Sequence, residues 1–248
     1  MASTYETGCV QNVANFETLI SYITAFGADY NPSKTSLKIP ELQKILSDAK
    51  VSLNAVNVAF SAHSNAIAAR ESAFEPLSKL VTRVNNALKA TDTTTQVDDS
   101  AKTIVRKIQG TRASAKLTEE QKQALAAEGK EVIQVSASQM GFNDRIENFD
   151  KLITLLSSIP NYAPNEEELK IESLTAYLND LKSKNAAVLP LEVQLSNARI
   201  LRNDIQDRPL TGLIDAALDS KVYIKSVFGA SSPQYKQISK LAFVKRKK

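Results

Sequence analysis

The sequence predicts an all-α protein, an elongated tandem duplication of a helical-bundle unit with long heptad-patterned helices. Three observations predict this fold class: an ordered set of residues occurs twice, apolar residues recur at helical spacing, and residues typical of sheets are scarce. The 248 residues include only 7 Gly, no Trp and 6% aromatic residues. Sheets draw on aromatic and β-branched residues and on glycine-rich turns, so this composition favours helices.

The repeat begins close to the N-terminus. Residues 15–20 read Asn-Phe-Glu-Thr-Leu-Ile, and residues 148–153, which lie 133 positions later, read Asn-Phe-Asp-Lys-Leu-Ile. Further matches follow at a spacing of 132, for example Tyr30 with Tyr162. Because these matches keep their order with a drift of only one residue, we interpret them as an internal duplication.

The duplication divides the chain into two helical units and a tail. The first predicted unit covers residues 1–135, of which 117–135 lead into a joining helix. The second predicted unit covers residues 136–232, and residues 233–248 form a basic C-terminal arm.

The longest periodic pattern runs from Leu42 to Leu88 in alternating steps of four and three, the spacing of a helix packed lengthwise against others. An unbroken helix of this length would be roughly 70 Å long. Pro76 predicts a break near Glu75, because proline lacks an amide donor and clashes with the preceding turn. Pro209 predicts a similar bend in the second unit. The stripe consists of Leu42, Leu46, Ala49, Leu53, Val56, Phe60, His63, Ile67, Arg70, Phe74, Leu77, Val81, Val84 and Leu88.

The joining helix has a start and a stop signal. Residues 118–121, Thr-Glu-Glu-Gln, have the form of a capping box, and Pro160 ends the apolar stripe that follows. We therefore predict one helix over 118–159. Two shorter helices are predicted to end at Gly110 and Gly229, since glycine suits the left-handed conformation that often follows a helix.

The net charge of +4 is concentrated at the C-terminus. Six lysines and arginines and no acid lie in the last 13 residues, whereas the first 33 residues hold three acids and no base. Apolar residues are mixed with these cations, so this end of the chain is either an ordered arm that docks on a surface, which we favour, or a loose basic end. Its candidate interaction residues are Tyr235, Lys236, Lys240, Phe243, Lys245, Arg246, Lys247 and Lys248.

The sequence contains no motif that predicts catalysis. Phosphate-binding glycine loops are missing, and His63 is the only histidine. Cys9, the only cysteine, is expected to be a small buried apolar residue. We therefore predict no catalytic, cofactor-binding or metal-binding residues.

Arg70 and Arg202 are repeat-matched polar residues on the apolar stripe. One interpretation is an inward guanidinium that binds an anion or pairs across the bundle. The alternative is a packed aliphatic stem whose charged head reaches water.

These observations lead to a hypothesis of function. A secretory signal and a stretch of about 18 apolar residues are both missing, which predicts a cytoplasmic protein and leaves non-Sec export open.

The leading hypothesis of function is a non-enzymatic structural or interaction protein that self-assembles through helical surfaces and its arm, into filaments if the contact propagates. The alternative is an adaptor for a helical or anionic partner, including nucleic acid bound by the basic tail. A third hypothesis is an enzyme or small-molecule binder with a cavity between helices.

Overall fold

The computed structural model describes residues 4–111 and 140–245, together with residues 118, 120 and 127. Every regular element in these ranges is helical, so the all-α prediction is confirmed. The α-helices are α1 (Thr4–Ala25), α2 (Ile39–Phe74), α3 (Leu77–Lys89), α4 (Thr95–Gln109), α5 (Phe142–Ser157), α6 (Ile171–Asp207), α7 (Leu213–Phe228) and α8 (Pro233–Ser239). Short 3-10 helices at Thr35–Leu37 and Glu167–Leu169 precede the two long helices.

The helices form two compact units, and neither is one continuous stretch of chain. Unit 1 contains Met1–Ser64 and Leu191–Lys248, whereas unit 2 contains Asn65–Pro190. The long helices α2 and α6 therefore each contribute residues to both units. The compact units cross the domain boundaries predicted from the sequence repeat.

The core of unit 1 forms where α1 packs against α7. Phe16, Leu19 and Ile23, at spacings of three and four on α1, are fully buried. Burying such a side chain stabilises the fold by about 1.5–3 kcal/mol. The rings of Phe26 and Phe228 pack against this core and against each other, with centroids 5.3 Å apart.

The core of unit 2 forms where α5 packs against α4 and where α3 also packs against α4. Fully buried residues from α3, α4, α5 and α6 meet there, which places an apolar face of each helix inside. These residues include Leu77, Leu88, Ile108, Phe149, Leu152, Leu174 and Leu181.

Two predicted helix ends are present, and one predicted helix is not continuous. Helix α2 ends at Phe74 and α3 begins at Leu77, so the break at Pro76 is confirmed. Gly110 ends α4 in the left-handed conformation with φ 67°, as predicted. Helix α5, however, begins only at Phe142, after an extended Gly141 with ψ 148°. The prediction of an unbroken helix over 118–159 is therefore wrong at Gly141. Most of the first part of this predicted helix lies outside the described residues.

The long apolar stripe is buried over only part of its length. Leu42 and Leu77, in different units, are fully buried, whereas Phe60 between them is 53% exposed. The pattern therefore located the helix but not the positions at which the helix has a packing partner.

Candidate interaction surface: the C-terminal arm docked in unit 1

The C-terminal arm (residues 233–248, described to Lys245) leaves α7 through a short connection. Gly229 ends α7 with φ 87° and ψ 157°, a conformation that other residues rarely adopt. Ser232 then starts α8, because its Oγ accepts a hydrogen bond from the backbone N–H of Tyr235 at 3.1 Å. Pro233 occupies the first helical position, where its missing N–H costs nothing.

The arm packs apolar side chains onto unit 1. Ile238 of α8 is fully buried, and Tyr235, Leu241 and Phe243 are partly buried against the same core. The ammonium group of Lys225 lies 5.8 Å from the centroid of the Tyr235 ring. The described part of the arm therefore lies on unit 1 of its own chain.

A buried amide pair on α1 and α6 receives the end of the arm. Asn12 is 1% exposed; its Nδ2 donates to the carbonyl oxygen of Val244 at 2.9 Å, and its Oδ1 accepts from the Val244 N–H at 2.8 Å. Asn12 Nδ2 also donates to Gln206 Oε1 at 3.0 Å, and Gln206 Nε2 donates to the carbonyl oxygen of Cys9 at 3.1 Å. Buried amide groups carry a desolvation cost unless they are hydrogen-bonded, and these bonds offset it.

Two further side chains bind backbone carbonyl groups of the arm. Asn15 Nδ2 donates to the carbonyl oxygen of Ala242 at 2.7 Å. Lys221 Nζ donates to the carbonyl oxygens of Ser239 and Leu241, each at 3.0 Å. Burial lowers the pKa of the Lys221 ammonium group, but its charge suits the free carbonyl groups at the end of α8.

An ion pair completes the contact. Asp215 Oδ2 accepts a hydrogen bond from the backbone N–H of Leu210 at 2.9 Å, and Asp215 Oδ1 lies 3.2 Å from Lys245 Nζ. The pKa of Asp215 is lowered, first by the bond from Leu210 and then by Lys245. The carboxylate therefore stays charged and holds both the turn before α7 and the arm.

The structure separates the predicted arm residues by role. Tyr235 and Phe243 pack on unit 1, Lys245 forms the ion pair, and Lys236 and Lys240 are exposed. The remaining predicted residues, Arg246, Lys247 and Lys248, lie outside the described residues.

Sequence reasoning missed the residues that receive the arm. Asn12 lies three residues after Cys9 and four before Phe16, both fully buried, so it occupies the apolar face of α1. A polar residue at such a position is the signal that could have identified it. Gln206 and Lys221 carry no comparable signal.

The two repeat-matched arginines have different surroundings. Arg202 is 3% exposed, and its Nε and Nη2 donate to Asn203 Oδ1 at 3.1 and 2.9 Å. The Arg70 guanidinium lies 4.0 Å from the centroid of the Phe142 ring, and its Nη1 reaches Asn185 Oδ1 at 3.4 Å.

Cys9 is fully buried, whereas His63 is partly exposed. Within the described ranges, no group of three or more histidine, cysteine, aspartate or glutamate residues is arranged to hold a metal ion.

The chain matches no protein-family model, no curated protein and no solved structure. Among the helices that the structure describes, none is both long and apolar enough to cross a membrane.

Proposed function

We propose that this is a non-enzymatic structural or interaction protein that self-assembles through helical surfaces and its C-terminal arm, with filaments as the extended form. The observation that carries the proposal is a pair of exposed apolar rows on the long helices of unit 1. The row on α2 consists of Val51 and Val58, which are 67% and 62% exposed. The row on α6 consists of Val193 and Ile200, which are 50% and 62% exposed.

The spacing within each row is seven residues. Seven residues are close to two helical turns, so the two members of a row share one helix face. Single exposed apolar residues are common on protein surfaces, whereas paired positions at heptad spacing are the pattern that another helix buries. A second copy of the chain carries the same rows and would supply such helices.

The arm gives the second contact of the proposal. Its backbone is bound by side chains of α1 and α7 of the same unit, and Gln206 of α6 holds Asn12 from behind. A surface built to hold this arm can hold the arm of any copy of the chain.

The proposal includes the tandem duplication and its heptad-patterned long helices, and matching contacts support it. Tyr30 Oη donates to the carbonyl oxygen of Leu37 at 2.8 Å, and Tyr162 Oη donates to that of Leu169 at 2.9 Å. Each acceptor lies seven residues after its tyrosine, and the two tyrosines are 132 residues apart. The predicted elongated shape stays a prediction.

Equivalent ion pairs support the same interpretation. Lys50 pairs with Glu17 at 2.6 Å, and Lys182 pairs with Asp150 at 2.7 Å. The lysines differ by 132 positions and the acids by 133, which is the spacing of the sequence repeat.

Light scattering of the purified chain over a concentration series tests the proposal. We expect the mass to rise above that of the 27.1 kDa monomer as concentration increases. The double variant Val58→Lys/Ile200→Lys should remain monomeric, because it places charges on both rows. The control Asn57→Lys/Gln194→Lys adds the same charges at exposed polar positions and should assemble like the wild type. If the wild-type chain stays monomeric at every concentration, the proposal is rejected.

The second candidate function is an adaptor for an anionic partner, including nucleic acid. The exposed side chains of Lys236 and Lys240 on the arm favour it. A gel-shift titration tests it, because binding driven by phosphate contacts weakens steeply as salt concentration rises. Binding that does not depend on salt, or no binding, would exclude this function.

A further inference from the structure

We infer that the C-terminal arm exchanges between copies, so that the arm of one chain occupies the α1 and α7 surface of a second copy. This inference rests on the proposed function and specifies how the arm contributes to it. The hinge is the connection Gly229–Ser232 between α7 and α8.

The contacts of the arm would be the same whether the arm binds its own chain or a second copy. Asn12 binds the backbone of Val244, Asn15 binds that of Ala242, and Lys221 binds that of Leu241. None of these bonds depends on which chain provides the arm. Exchange therefore preserves the stabilising contacts, as in domain swapping, and changes only the connection.

The connection has the properties of a hinge. It contains four residues, and Gly229 has φ 87° with no heavy atom within 4 Å of the position that a Cβ would occupy. A change in the dihedral angles of these few residues can redirect the whole arm. Short connections of this kind favour exchange when an open conformation joins two copies.

Concentration decides between the two arrangements. In a dilute sample the attached arm has the higher effective concentration and binds its own chain. When copies are held together through their exposed helix rows, a neighbouring surface becomes an equal competitor. One-way exchange adds copies in a chain, whereas reciprocal exchange closes a dimer.

The structure provides a direct chemical probe of the arrangement. A Cβ at Gly8 would lie 3.8 Å from the Cβ of Val244. Disulfides require a Cβ–Cβ distance of about 3.5–4.5 Å, so cysteines at these two positions can form one. Cys9→Ala removes the native thiol from the background.

The experiment uses two single-cysteine chains, Cys9→Ala/Gly8→Cys and Cys9→Ala/Val244→Cys. They are unfolded, refolded together over a concentration series, oxidised and separated on a non-reducing gel. We expect a disulfide-linked dimer of the two variants that increases severalfold from dilute to concentrated refolding and collects in the fraction larger than a monomer. Gly8→Cys paired with the exposed position Lys236→Cys is the matched control and should give little product.

A second measurement needs no substitution. Lys245 Nζ lies 3.2 Å from Asp215 Oδ1, so a zero-length carbodiimide cross-linker can join them. Unlabelled and ¹⁵N-labelled wild-type chains are refolded together, cross-linked and digested. Mass spectra of the joined peptide should contain mixed-isotope species if arms exchange, and only pure species if they do not.

The outcomes separate the two proposals. Particles larger than a monomer that contain only intrachain links would overturn arm exchange and leave self-assembly standing. Monomers at every concentration would overturn both. If the triple variant Gly8→Cys/Cys9→Ala/Val244→Cys forms no intrachain disulfide in a dilute sample, the docked geometry itself is wrong and the inference falls with it.

Discussion

The side-chain amide of Asn12 binds both backbone polar groups of Val244. It donates to the carbonyl oxygen at 2.9 Å and accepts from the N–H at 2.8 Å. A side-chain amide carries the same donor and acceptor as a peptide group, so α1 pairs with one residue of the non-helical end of the arm. The Val244 side chain is 52% exposed. Recognition at this position therefore depends on the arm backbone rather than on the valine.

We expect Asn12→Leu to lower the free energy of unfolding by about 2–4 kcal/mol, because it removes two bonds to the arm and leaves buried Gln206 short of a donor. Urea denaturation followed by circular dichroism measures the change. Asn15→Leu is the matched control and should cost less than about 1 kcal/mol, since its bond to Ala242 is exposed to water. Equal losses for the two variants would contradict this account of the network.

We expect Lys221 to stabilise the docked arm more than it stabilises the rest of unit 1. In Lys221→Met two carbonyl groups of the arm lose their ammonium donor, and we expect faster amide hydrogen exchange over residues 240–245 with little change in α1. Exchange measured by mass spectrometry checks this. Lys236→Met alters an exposed lysine of the same arm and should leave the rates unchanged. Similar rates in the two variants would remove Lys221 from the binding surface.

Tyr162 predicts a loss of stability at alkaline pH. Burial raises the pKa of Tyr162 to about 12, whereas an unfolded tyrosine titrates near 10. Between these values the unfolded chain binds fewer protons than the folded chain, so the free energy of unfolding falls as pH rises. Tyr162→Phe removes this contribution, and its melting temperature should fall less steeply between pH 10 and pH 12 than that of the wild type.

Near neutral pH the same substitution should destabilise the fold. Tyr162→Phe leaves the carbonyl group of Leu169 without its partner, at a cost of about 1–2 kcal/mol. Tyr30→Phe makes the equivalent change in unit 1 at Leu37, and burial also raises the pKa of Tyr30. We expect similar losses for both variants. A cost at only one of the two positions would weaken the proposed duplication.

Two backbone positions should respond in opposite directions to substitution. Leu210 has φ 68° and is 73% exposed, so a non-glycine residue is strained there while burying little. We expect Leu210→Gly to raise the free energy of unfolding by about 0.5–1 kcal/mol after the entropy of glycine is included. Gly229→Ala should lower it by about 1–3 kcal/mol, because φ 87° with ψ 157° suits only glycine. Thermal melts of both variants against the wild type measure the difference.

The sequence predicted features that depend on local geometry. Pro76 lacks an amide donor and lies at the break between α2 and α3, and Gly110 permits the left-handed turn that ends α4. The apolar heptad pattern did not predict which of its residues are buried, because burial depends on partners that are distant in sequence. Phe60 fits the apolar stripe but is exposed, because the spacing of residues on one helix does not state where a neighbouring helix lies along it.

The arm was predicted from composition, whereas the surface that receives it was not. Asn12 and Gln206 are separated by 194 residues and meet only in the folded chain. No spacing rule joins positions that far apart. A polar residue within the apolar face of α1 was the one local sign that something would bind there.

The discontinuous course of unit 1 has a consequence for biosynthesis. Helix α1 is synthesised before α7, one of its packing partners, which begins only at Leu213. At about 5–20 residues per second the apolar face of α1 waits roughly ten to forty seconds for that partner. All of unit 2, Asn65–Pro190, emerges in the meantime. During translation the part of the α1 face that α7 covers therefore stays without this partner, which makes it a target for a holding chaperone.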